Sequence, residues 1–218
     1  MLSQTKRTQV RKGAHKAVQE PQVLFDIIDE CLVAHVAIQE AQGPVVIPML
    51  AWRVGDFVYI HGANNSRLLR TLRQAAQTCL TFTLFDGWVL ARSAFNHSAH
   101  YRSAVVFGQF EVIEDKAEKD RVLNHFVEQI APGRTQAIRL SNPKELAATT
   151  VLRMPLNEAS VKISNKDVGD DLADLELPVW AGFIPYRTVV GPLKATAGLH
   201  ASIPTPDYSA AYGARWEN

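Results

Sequence analysis

Two spacings of apolar residues divide this chain. From Pro21, Val23, Leu24, Ile27, Ile28 and Cys31 recur at helical intervals, with Asp26, Asp29 and Glu30 between them. That pattern predicts an amphipathic helix started by a proline. From Leu32 to Ile38 the period changes to two, with Val33, His35 and Ala37 alternating against Ala34, Val36 and Ile38. Further strand-like runs follow at 45–52, 57–60, 78–85, 88–93, 101–113, 151–154, 158–163 and 179–190. Gly43-Pro44 and Gly55-Asp56 read as turns between strands, and Asp86-Gly87 as a hairpin turn. Gly108 is the expected bend in the longest run. Pro48 lies inside a strand, where it cannot donate to a ladder, so an edge or a bulge is expected there.

Helical spacing returns from Ser66 to about Gln74, with Leu68, Leu69 and Leu72 on one side. It returns again after Asp115, with Ala117, Val122, Phe126 and Ile130 toward the core, until Pro132-Gly133. A short helix is expected at Asn142-Pro143. Residues 165–176 form an acidic connection, and the chain past Gly191 reads as irregular. Many short strands with a few interposed helices predict a mainly β fold, a small antiparallel barrel with helices packed outside. The predicted organisation is an N-terminal arm over 1–20, the barrel over 21–190 and a tail over 191–218. There is no βαβ alternation and no Gly-x-Gly-x-x-Gly after a first strand, which argues against a Rossmann domain.

Composition narrows the partners more than it identifies them. The net charge is +1 and no basic block occurs, so nucleic acid is not indicated. No apolar run is long enough to span a bilayer, and no signal core follows the basic N-terminus, so a soluble cytoplasmic protein is expected. Cys31 and Cys79 have no metal-ligand spacing and read as buried thiols.

The candidate chemistry centres on His61-Gly62-Ala63-Asn64-Asn65-Ser66-Arg67-Leu68-Leu69-Arg70. Here a strand gives way to a helix through small residues. Ser66 can cap that helix and offer a hydroxyl to an anion, and Arg67 and Arg70 add charge on the same turn. An ordinary strand-to-helix connection with a solvated basic face is the competing reading. Arg102 opens the long strand, and inside a barrel it needs an anion or a carboxylate partner. His97-x-x-His100 fits no common zinc pattern. His35 reads as a hydrogen-bonded core residue, Trp88 as core, Trp216 as tail, His125 as surface, and Lys162 as a salt-bridge partner of 167–176. No Gly-x-Ser-x-Gly elbow is present.

Five segments occur in an order that resembles a known family: Val-Ile-Pro-Met (46–49), Tyr-Ile-His-Gly-Ala-x-x-Ser-Arg (59–67), Asp-Gly-x-Val-Leu-Ala-Arg-Ser-Ala-Phe-x-His-Ser (86–98), Tyr-Arg-Ser-x-Val-Val-x-Gly (101–108) and Val-Trp-Ala-Gly-x-x-Pro (179–185). The chain resembles the flavin-nucleotide-binding branch of the pyridoxamine 5′-phosphate oxidase superfamily, which includes nitroimidazole-reductase-like proteins. The resemblance implies an FMN-binding split β-barrel, antiparallel and Greek-key-like, with FMN at a homodimer interface. It would place Ile47, Pro48 and Met49 along the flavin ring and Ile60 and His61 beside the ribityl chain. Ser66, Arg67 and Arg102 would lie on the phosphate, and Ser103 near the flavin. Trp180 would approach from the other subunit.

Leu68 replaces a lysine of the oxidase, and His100 replaces an asparagine usual in the branch. The C-terminal Arg-x-His segment that grips pyridoxal phosphate has no counterpart, and His200 does not replace it. The expectation is therefore a flavin-dependent oxidoreductase of a small substrate other than pyridoxamine phosphate, with no metal and no assigned catalytic side chain. The alternatives are a flavin-storage or flavin-sensing protein, and a haem- or deazaflavin-binding relative on the same barrel.

Overall fold

The computed structural model describes residues 1–2, 5–209 and 211–212. Trp216 lies outside them. The strands are β1 (Ala17–Val18), β2 (Val33–Glu40), β3 (Gly43–Val54), β4 (Phe57–Ala63), β5 (Thr78–Leu90), β6 (Ser98–Gly108), β7 (Glu111–Val112), β8 (Thr149–Pro155), β9 (Ala159–Ser164) and β10 (Gly182–Pro185). The α-helices are α1 (Pro21–Glu30), α2 (Arg67–Leu72), α3 (Lys116–Ile130) and α4 (Pro143–Ala148). No helix among the described residues is long and apolar enough to cross a membrane.

The strands form one antiparallel sheet in the order β1-β9-β6-β5-β2-β3-β4-β8-β7, and β10 adds to β5. Strand β7 continues β6 past the bend at Gly108, and β8 runs into β9 through a short turn. The pair at one end of the order is thus a covalent continuation of the pair near the other, which curls the sheet into a barrel. At the bend Gly108 packs against the Met154 side chain, which a Cβ would meet at 3.3 Å. Period-2 alternation fills the interior. Val36, Leu80, Phe82, Ala104, Val106, Leu152 and Met154 point inward with no more than trace exposure. Helix α1 adds Leu24, Ile27 and Ile28, and α2 adds Leu68, Leu69 and Leu72. A second cluster of Trp52, Tyr59, Val122 and Val151 lies outside the sheet under α3.

Several expectations change. Asp86-Gly87 is not a hairpin. β5 runs through it, and the ladder to β6 shifts register between Phe85 and Gly87, which makes a β-bulge. Gly87 has φ +154°, and a Cβ there would lie 2.5 Å from the Ile184 carbonyl, so β10 can pair with β5 at this point only beside a glycine. The predicted 179–190 strand pairs only over Gly182–Pro185. On α3, Ala117 is exposed and Ile130 is 45 % exposed; Val122, Leu123 and Phe126 face the cluster instead. The predicted arm is fastened to the barrel. Ala17 and Val18 pair with β9, Leu2 is buried, and Arg7 ion-pairs with Glu158.

Candidate functional site

The barrel is split between β3 and β4. Their ladder runs from Val54↔Phe57 to Ala51↔Ile60 and then stops. Residues 43–50 of β3 continue paired to β2 alone, and residues 61–63 of β4 pair only with β8. This is the edge that Pro48 anticipated. Pro44 and Pro48 share one parity, opposite Gln39 and His35. Because proline has no N–H, the ladder to β2 is complete when this parity faces the open side. That orientation turns the N–H groups of Val46 and Leu50, and the carbonyls of 44, 46, 48 and 50, into the split.

The side chains of Ile47 and Met49 pack inward against the main cluster, whereas Pro48 points outward. A ligand on this edge would meet backbone and Pro48, and not the side chains of Ile47 or Met49. Ile60 is fully buried, so its side chain cannot flank a ligand. His61, the next residue on β4, faces the other way. Its ring lies edge-on to Trp52 (5.4 Å) and Phe126 (5.2 Å). Burial lowers the His61 pKa, which favours the neutral ring at pH 7. His61 Nδ1 and Trp52 Nε1 are both buried without a partner.

The turn after β4 is held by Asn64, whose Nδ2 donates to the Ala147 carbonyl (2.7 Å) and whose Oδ1 accepts from Thr150 Oγ1 (2.8 Å). Ser66 caps α2 by accepting from the Leu69 N–H at 3.5 Å. Gly62 is packed closely there, since a Cβ would meet Leu69 Cδ1 at 3.0 Å. Arg67 is 62 % exposed and touches Glu40 at 3.2 Å, so Ser66 and Arg67 sit at the β2–β3 end of the split.

The structure does not bring Arg102 there. Its guanidinium Nη2 donates to Glu30 Oε1 and Asp86 Oδ1 (both 2.8 Å), and Nε donates to Asp86 Oδ2 (3.0 Å). The hydrogen bonds it donates to Asp86 and then to Glu30 raise its pKa. Glu30 precedes β2 and Glu40 ends it, so the eight residues of β2 put roughly 25 Å between Arg102 and Arg67. The joint phosphate site expected of Ser66, Arg67 and Arg102 in one chain gives way to two separate places. Ser103 faces the opposite side of β6 and donates to the Lys162 carbonyl at 3.4 Å. Trp180 is 67 % exposed, and its ring lies on the backbone of Gly182. His35 is exposed rather than a core residue, Trp88 is 48 % exposed, and Lys162 donates to the Lys12 carbonyl instead of a carboxylate.

Of the turn from Arg92 to His97, sequence reasoning weighed only His97, as a ligand, and assigned no role to Arg92, Ser93 or Asn96. The Arg92 N–H and guanidinium both reach Asp170 (2.9 and 2.6 Å), whose carboxylate is almost wholly covered. Burial alone would raise the Asp170 pKa, but these bonds outweigh it and the net shift is downward. Arg92 Nε, Ser93 Oγ and Asn96 Nδ2 are buried without partners. The signal available was the 86–98 motif itself.

On the outer face of β2, β3 and β5, Val33, Val46, Leu50 and Phe85 are 38–58 % exposed and lie on adjacent strands. Contiguous apolar exposure of this kind marks a contact surface. Among the described residues no cluster of three or more His, Cys, Asp or Glu could hold a metal ion.

Comparison with known proteins agrees with this architecture. The family model described as pyridoxamine 5′-phosphate oxidase matches residues 20–163. No curated protein gives a match. Among solved structures, the chain is similar to the flavocytochrome Anf3 from Azotobacter vinelandii, with 35% identity over 93% of this chain and 94% of that one and a TM-score of 0.89. It is similar to the FAD and haem binding protein from Mycobacterium smegmatis, with 36% identity over 88% and 94% and a TM-score of 0.84. It also shares its fold with a candidate 5-nitroimidazole antibiotic resistance protein from Bacteroides thetaiotaomicron, with 23% identity over 67% and 86% and a TM-score of 0.56. The antiparallel barrel split beside the Ser66 turn and the match over residues 20–163 place this chain in the pyridoxamine 5′-phosphate oxidase family.

Proposed function

We propose that this protein binds a flavin nucleotide in the split between β3 and β4 and works as a flavin-dependent oxidoreductase on a small substrate. The observation that carries the reading is the unpaired stretch 43–50 ending beside the Ser66–Arg67 turn. A flat heterocycle with alternating donors and acceptors suits an open strand edge. An anion suits the first turn of a helix, where N–H groups have no intrahelical acceptor, beside an exposed arginine. The residues fit the phosphate end through Ser66 and Arg67, and the ring through the backbone about Pro48. His61, neutral and with an orphaned Nδ1, lies on β4 just where the pairing with β3 stops, its ring turned among Trp52 and Phe126.

The flavin supplies the redox chemistry; the chain binds and orients it and limits access of water and oxygen. We further propose a homodimer through the outer face of Val33, Val46, Pro48 and Leu50, which would cover the split and bring the partner's exposed Trp180 toward it. FMN is the form the sequence motifs imply. A second reading is favoured by the relative at 36% identity, described as an FAD and haem binding protein, and by the flavocytochrome at 35%: the nucleotide is FAD, and a haem accompanies it.

The test is an absorption spectrum of the purified protein, with chromatography of the cofactor released by heat. Paired flavin bands with FMN or FAD in the supernatant support the reading and decide the nucleotide. A colourless protein that takes up neither flavin would end it. Reduction of bound flavin by a nicotinamide nucleotide, followed by reoxidation by an acceptor, would separate an enzyme from a storage protein.

A further inference from the structure

Positive charge is dispersed along this sequence and gathered by the fold. Residues 1–20 hold five Lys or Arg and one acid, a net of +4, so the +1 of the whole chain leaves the rest at −3. Pairing of Ala17 and Val18 with β9, burial of Leu2 and the Arg7–Glu158 ion pair pin these residues along β9. Lys6, Arg11, Lys12 and Lys16 thereby join Lys162 and Lys166 in one stripe. Lys16 Nζ donates to Ser164 Oγ (2.9 Å), Lys162 Nζ donates to the Lys12 carbonyl (3.3 Å), and Lys6 lines a cleft with Ser160 of the same strand. Among the described residues none of the six is ion-paired. The nearby carboxylates are engaged elsewhere. Glu158 is taken by Arg7 and Thr5, Glu20 accepts from the Gln19 N–H (3.1 Å), Asp167 accepts from the Val168 N–H (2.8 Å), and Asp170 is clamped by Arg92. Like charges crowded on one edge repel, and an acidic surface relieves that repulsion.

We propose that this stripe docks an acidic electron-carrier protein, a one-electron iron–sulfur or flavin carrier, that reduces the bound flavin. The proposal rests on the flavin reading above. Among the described residues of 5–20 and 159–166 no large apolar side chain is exposed, so a membrane would find no apolar anchor and a nucleic acid no stacking platform. The Tyr101 ring lies beneath Lys16 Nζ, 5.6 Å away. Point charges spread along an edge suit the carboxylates of a protein surface, where they govern the rate of encounter. β9 is four strands from β3 in the sheet, roughly 19 Å at the usual spacing, which puts a docked carrier beside the split and not across the molecule. The homodimer face proposed above uses β2 and β3, so docking does not compete for the same residues. Two docked carriers each give up one electron, and one flavin takes both with two protons from solvent.

The test uses the full chain with its flavin bound and, as probe, an acidic two-iron ferredoxin of the plant type. Calorimetry follows binding, and anaerobic stopped flow follows flavin bleaching. Affinity and bleaching rate should both fall about tenfold or more between roughly 0.02 M and 0.2 M salt. The triple variant Arg11→Glu, Lys12→Glu, Lys166→Glu reverses three exposed charges and should slow reduction by ferredoxin about tenfold or more. Its reduction by dithionite, flavin content and circular dichroism should match the parent. Arg121→Glu, the same reversal at an exposed position of α3, should stay within about twofold. Reduction by ferredoxin that is indifferent to salt, or equally fast in parent and triple variant, would overturn the proposal. So would low-salt binding of anionic vesicles or duplex DNA without binding of ferredoxin, and so would reduction by NADPH in a protein that binds no ferredoxin. If the triple variant fails to fold, the salt dependence of the parent decides. A chain that binds ferredoxin at low salt but takes up no flavin would sink the flavin reading and leave the docking surface standing.

Discussion

Arg67 and Arg102 sit at opposite ends of β2 and do opposite things with the same side chain. Arg102 is about one-third exposed and spends its guanidinium on two carboxylates, Glu30 and Asp86. Four of its five N–H donors are already taken, so its task is to tie α1, β5 and β6 together. Arg67 is 62 % exposed, touches one carboxylate, and lies beside a helix start. Loosely held charge at the surface adds little to stability and is available to a ligand. Charge type alone therefore does not mark an anion site; the number of partners already satisfied does.

Substitutions can break that contrast. Arg102→Ala leaves two carboxylates facing each other and should cost roughly 2–3 kcal/mol in urea unfolding, discounted from the fully buried case for its exposure. Its flavin affinity should stay within about twofold of the parent. A tenfold loss of flavin with unchanged stability would return Arg102 to the phosphate. Gly87→Ala attacks the same end from the backbone. The new Cβ meets the Ile184 carbonyl, so a loss of about 2 kcal/mol and easier proteolysis after residue 178 are expected.

At the other end, Arg67→Ala should weaken flavin binding by about 1–2 kcal/mol while the unfolding midpoint without ligand moves little. Equal flavin affinities in parent and variant would remove the site from that turn. Leu50→Lys sharpens the dimer proposal, since a charge on the exposed face should yield monomer in light scattering without unfolding the chain. The smallest effect concerns His61. Its folded pKa lies below the ordinary 6.5, so the unfolded chain binds the proton more readily. The stability linked to this residue is full above 6.5 and is lost as pH falls toward its folded value. His61→Gln should therefore flatten the fall in urea midpoint between about pH 7 and pH 5. A fall equally steep in the variant would show that other groups carry it.

What was legible in the sequence was local. The Ser66 and Asp115 caps, the bend at Gly108 and the inward alternation of β2, β5 and β6 are set by neighbours a few residues apart. The misreadings share a long-range cause. Asp86-Gly87 is a good hairpin signal in isolation, but β6 pairs with β5 before and after it and β10 pairs alongside, so the extra residue is absorbed as a bulge. The partners of Arg102 are 72 and 16 residues away, and no spacing rule reaches them. His35 was placed inside because its strand is apolar on both faces. Which face is outer depends on what α1 and α2 cover. The three orphaned donors of the 92–97 turn could not be read from composition at all, since burial decides them.

The two prolines of β3 also bear on how the chain survives between synthesis and loading. An open, apolar strand of eight residues is a template onto which another extended chain could add, and so a seed for aggregation. Pro44 and Pro48 remove every second donor from that edge, while its carbonyls remain. A foreign strand would find half of the donors it needs missing, whereas a compact heterocycle needs only one or two bonds. The same spacing that leaves room for a cofactor thus guards the empty protein against its own kind.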